Sequence, residues 1–128
     1  MTANKFVCVI YLLVILVTCQ GALVGPRISD DHNIDTCDVT KAKKQLIGSN
    51  VYEEGVFLTI IERVINYPEN SISTDIITCI RVIDMDSSNQ GGYPRVVNGG
   101  VGSTEVQLLL KSQIGQPLNF RIEIWADE

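Results

Sequence analysis

Apolar and polar side chains alternate along most of the chain beyond Val51, and a period of two predicts strands. The alternation is cleanest in PLNFRIEIW, where Leu118, Phe120, Ile122 and Ile124 face one way and Asn119, Arg121, Glu123 and Trp125 the other. In TEVQLLLKS, Val106, Leu108 and Leu110 form an inner face against Glu105, Gln107 and Lys111. TDIITCIRVIDMD predicts a strand from Asp75 to Asp84, with Ile76, Thr78, Ile80 and Val82 on one side and Ile77, Cys79, Arg81 and Ile83 on the other. Both of its faces are largely apolar, which suits the middle of a sandwich. Val56 to Ile65, rich in β-branched residues and closed by Asn66 and Pro68, predicts another strand, and Arg95 to Val97 a short one. Asp38 to Gly48 fits two patterns: a short helix capped by Asp38, or a strand through Val39, Thr40, Leu46 and Ile47.

Turn-forming clusters separate these runs: NYPEN, SSNQGGYP, NGGVG and SQIGQP. Short strands joined by Gly, Pro and Asn, with neither an internal repeat nor a second domain, predict an all-β fold. The expected form is a small antiparallel β-sandwich or barrel.

The N-terminus departs from this pattern. Met1 to Lys5 carries one positive charge and leads into the uncharged run FVCVIYLLVILV, Phe6 to Val17, after which Cys19 and Gly21 are small. These are the three regions of a secretory signal peptide, cut before Ala22. The run of 12 residues is short of the roughly 20 that a membrane-spanning helix needs. The organisation expected is therefore a signal peptide over 1–21, an irregular, loosely held arm over 22–36 and one β domain over 37–128.

The leader inflates the mean hydropathy of +0.18. Its only charge is Lys5, so its removal takes the net charge from −5 to −6. That balance opposes direct binding to nucleic acid and to acidic membrane surfaces, both of which require clustered cations. Lys41, Lys43 and Lys44 form a small basic cluster, read as a solvated face. Cys8 and Cys19 leave with the leader, and the remaining even pair, Cys37 and Cys79, predicts one disulfide in an oxidising compartment, with two buried thiols as the alternative. No N-glycosylation sequon occurs.

Candidate chemistry is sparse. NGGVGSTEV, Asn98 to Val106, has the glycines of a phosphate loop, but Gly102 stands where the lysine belongs and Glu105 where a dinucleotide fingerprint has its third glycine. Gly99, Gly100 and Gly102 are read as turn residues supplying positive φ. DMDSSNQGGYPR places Asp84, Asp86 and Ser88 at the first positions of a calcium loop, yet Asn89 and Arg95 replace its glycine and its closing glutamate. At most a weak cation site at Asp84 and Asp86 is expected there. His32, the single histidine, lies on the arm without a nucleophile elbow, and Glu53 and Glu54 are adjacent and so face opposite ways on a strand. The expectation is no catalytic set, no cofactor and no resident metal.

Taken in order, Tyr67-Pro68, Ile77, Thr78, Ile80, Asp84, Gly91-Gly92, Gly99-Gly100, Gly102, Val106, Phe120, Ile122 and Glu123 form a pattern over Asp35 to Trp125 that resembles the multiprotein bridging factor two family of insects. The chain departs from it at Cys79, where a small residue is expected, and in carrying Cys37. The resemblance implies two roles: a transcriptional coactivator bridging a nuclear receptor to the general machinery, or a secreted gland or salivary peptide of unknown activity. The leader and the cysteine pair favour a secreted, extracellular, non-enzymatic β-domain that binds a protein or small ligand. Nuclear bridging is the second reading. Carriage of an apolar ligand is a third, suggested by the aliphatic richness of Val56 to Ile65 and Ile76 to Ile83, although those residues are expected mainly to fill the core.

Overall fold

The computed structural model describes residues 31–86, 88 and 90–127. The predicted leader, its cut and the first part of the arm lie outside them. Among the described residues seven strands form two antiparallel sheets: β1 (Ile34–Asp35), β2 (Lys44–Glu53), β3 (Glu62–Tyr67), β4 (Ile77–Asp84), β5 (Tyr93–Gly99), β6 (Val106–Lys111) and β7 (Leu118–Ala126). One sheet runs β1-β4-β7-β2, the other β3-β6-β5. The cleanest alternations in the sequence became internal strands, because a strand paired on both edges and covered on one face needs a strict apolar side. Thus β7 lies between β4 and β2, and β6 between β3 and β5.

The core is where these two strands and β4 face each other. Ile77, Ile80 and Val82 of β4, Leu118, Phe120, Ile122 and Ile124 of β7, and Val106, Leu108 and Leu110 of β6 are all at most 2% exposed. Removing each from water contributes about 1.5–3 kcal/mol. Ile34, Leu46, Ile47, Val51, Ile65 and Tyr67 close the margins. At one corner Ile61 and Ser112 are bonded twice: the Ile61 amide donates to Ser112 Oγ and the Ser112 amide to the Ile61 carbonyl, both at 2.8 Å. The buried hydroxyl completes its pairing on Gln113 O.

Four local expectations change. Strict alternation through β4 fails because its register against β7 shifts between Ile77 and Cys79. The shift puts Ile77, Ile80 and Val82 on the core side and leaves Ile76 50% exposed. Val56 to Ile60 is not strand. Thr59 N–H closes a turn on Val56 O, Leu58 sits at φ 55°, and Val56, Phe57, Leu58 and Ile60 are exposed; the run had apolar content but no alternation, so no single face could be buried.

Asp38 opens only a turn, accepting the Lys41 and Ala42 amides at its carbonyl, and the chain then enters β2 rather than a helix. The end of the arm is also held to the body. Ile34 and Asp35 pair with Val82 and Arg81, and Thr36 N–H donates to Ile80 O at 3.0 Å.

Candidate functional site

Asp84, Gly91 and Gly92 converge at one end of the sandwich. The β4 terminus presents Asp84 with its side chain 5% exposed. Its amide donates to Asn33 Oδ1 at 2.8 Å, and its Oδ1 accepts the Asp86 amide at 2.9 Å. Asp86 in turn accepts the amide and the hydroxyl of Ser88. Gly91 lies against the Asp84 carboxylate and offers its carbonyl to Gln113 Nε2 at 2.9 Å.

His32 is fixed at this end. Its Nδ1 lies 3.0 Å from Gly92 O, its ring stacks on Tyr93 with centroids 4.8 Å apart, and Asp84 Oδ2 is 3.9 Å away. No local pattern signals this, because its partners are a carbonyl, a ring and a carboxylate more than fifty residues distant in the chain. The contacts make His32 a fastener of the arm.

Electrostatics agree with a loop-shaping role for these carboxylates. Burial pushes Asp84 above its ordinary value, against the opposing pull of the Asp86 amide and His32. Bonds from Ser88 hold Asp86 below its ordinary value. Each carboxylate thus already serves backbone amides. Among the described residues no group of three or more His, Cys, Asp or Glu is placed to hold a metal ion.

Gly99, Gly100 and Gly102 lie at the other end of the sandwich, in the β5–β6 turn. Gly99 has φ 64° and Gly102 φ 88°, the left-handed values that the turn reading expects. Gly100 N–H donates to Glu105 O and Ser103 N–H to Gly100 O. The turn then crosses between sheets: Gly102 N–H donates to Ile77 O at 2.8 Å, and Ile77 N–H to Ser103 O at 2.9 Å. The two glycine groups that share one family pattern are therefore not one site.

Cys37 and Cys79 form the disulfide. Beside it lies an open depression of about 150 Å³ formed by Cys37, Val39, Ala42, Cys79, Arg81 and Trp125. A polar depression of about 320 Å³ lies between Asn66, Pro68, Glu69, Asn98 and Gln107. The outer face of the larger sheet carries a charged ladder in which Arg81 meets Asp35 at 3.3 Å and Glu123 at 3.7 Å, and Arg121 meets Glu123 at 2.8 Å.

The surface feature that the sequence reading missed is apolar. Phe57 is 84% exposed and Leu58 74%, beside Val56, Ile60 and Ile114. Their loop is anchored where Gly115 N–H donates to Thr59 O at 2.8 Å. The available signal was four consecutive residues, Val56 to Thr59, that suit neither face of a strand.

Comparison with known proteins places this frame in a family. No solved structure matches the chain. It is 40% identical over 107 residues, 84% of this chain and 69% of the other, to a protein of Bombus ignitus described as a "Probable salivary secreted peptide". Residues 24–126 match the family described as "Transcription activator MBF2", and the chain belongs to that family.

Proposed function

We propose that this protein is secreted and acts outside the cell by binding, without catalysis. Three observations support secretion: the signal-peptide pattern of Met1 to Gly21, the Cys37–Cys79 disulfide, and likeness to a relative described as a salivary secreted peptide. The observation that carries binding is the apolar loop of Val56, Phe57, Leu58 and Ile60, exposed on an anchored backbone, while His32, Asp84 and Asp86 are engaged in holding loops. An exposed apolar surface of this kind suits a partner with a complementary apolar recess. Interior carriage of an apolar ligand is disfavoured, since the aliphatic side chains of β4, β6 and β7 pack on one another and those of the Val56 loop lie outside.

The family's description favours a second reading, an adaptor in transcription. Expression with the native leader in insect cells separates the two. Secretion predicts leader-free protein in the medium; leader-bearing protein retained in nuclei contradicts it and supports the adaptor.

A further inference from the structure

The four sheet edges are unequally protected against pairing with another chain. β1 is two residues long, β5 contains Pro94 and a register shift between Val96 and Asn98, and β3 begins with the charged pair Glu62 and Arg63. Shortness, proline, irregularity and charge are the usual guards of an edge. β2 differs. It is ten residues long, its one register shift against β7 lies near its start between Gln45 and Ile47, it runs in unbroken register from Ile47 to Glu53, and among the described residues no strand pairs with its outer side. Gln45 to Tyr52 carries no charge to resist another backbone approaching to strand spacing, about 4.8 Å.

The charges lie at the ends with opposite sign. Lys41, Lys43 and Lys44 stand at the start of β2, Glu53 and Glu54 at its finish. We propose that the outer edge of β2 pairs antiparallel with the same edge of a second copy, about a two-fold axis near Gly48 and Ser49, joining two four-stranded sheets into one. Antiparallel pairing sets the lysines of each copy beside the glutamates of the other, whereas parallel pairing sets like beside like. The present partners do not oppose this. Lys43–Asp127, Lys44–Asp75 and Glu53–Arg63 are surface pairs of 3.5, 2.9 and 2.6 Å that can be shared with a neighbour.

Sedimentation and hydrogen exchange test the proposal. The disulfide-bonded protein is expected to rise from monomer to twice the monomer mass with concentration, and alternate amides between Ile47 and Tyr52 to gain protection over the same range. Lys43→Glu/Lys44→Glu and Glu53→Lys/Glu54→Lys are each expected to weaken self-association at least about tenfold, and an equimolar mixture to restore dimer. Monomer mass up to about 1 mM, a dimer indifferent to both charge reversals, or equal protection of those same alternate amides in the dilute monomer would each overturn it. The exchange measurement needs no variant, so a misfolded mutant leaves the test intact.

Discussion

Gly102 donates its amide to the carbonyl of Ile77 at 2.8 Å, so the β5–β6 turn of one sheet is bonded to the first residue of β4 in the other. The glycine-rich stretch that resembles a phosphate loop is a clasp between layers.

Two substitutions separate the demands of the clasp. At Gly102 an added Cβ meets nothing within 4 Å, so Gly102→Ala costs only the left-handed backbone, about 1–2 kcal/mol. At Gly99 the added Cβ also runs into the Glu105 carbonyl. Gly99→Ala is expected to be the more destabilising by at least about 1 kcal/mol, read as the difference in urea midpoints.

The disulfide closes a separation of 42 residues, and loop-closure entropy sets its contribution at up to about 4 kcal/mol. Cys37→Ala/Cys79→Ala is expected to lower stability by about 2–4 kcal/mol while keeping the far-ultraviolet spectrum of a β protein, because the core lies on the other face of β4. Equal stability of oxidised and reduced protein would refute this.

These two features show what was legible. The cysteine pair follows from counting, and the inner faces of β6 and β7 from alternation, since both signals are local. The Ile77–Gly102 bond, the seat of His32 on Tyr93, and the shift in β4 depend on the packing of one sheet over the other, which no local period encodes. The Val56 loop misled because β-branched content without alternation describes an exposed turn as readily as a strand.

Leu58 adopts φ 55° and is 74% exposed. A left-handed leucine is strained and here gains little packing. Leu58→Gly is therefore expected to leave stability unchanged or raise it by up to about 1 kcal/mol, and Leu58→Val to lower it; thermal midpoints decide. If the loop is the binding surface, Leu58→Gly weakens partner binding despite the stable fold.

Asp84 sets a pH dependence of definite sign. Its folded value is raised above the ordinary 3.8 by burial, so its contribution is fully present below that ordinary value and is lost as pH rises through the raised one. Asp38 and Asp86, held low by Thr40 and Ser88, act oppositely and gain as pH rises. The difference in thermal midpoint between wild type and Asp84→Asn isolates the first effect. It is expected to favour wild type most in acid and to decline toward neutrality; a difference that grows toward neutrality would contradict the burial argument.

Secretion and the disulfide are tested together by the intact mass of the unreduced protein recovered from the medium of insect cells expressing the full chain. The expected species begins at Ala22 and is lighter by two hydrogens than its reduced form. A chain that keeps Met1 to Gly21, or that carries two free thiols, would contradict this.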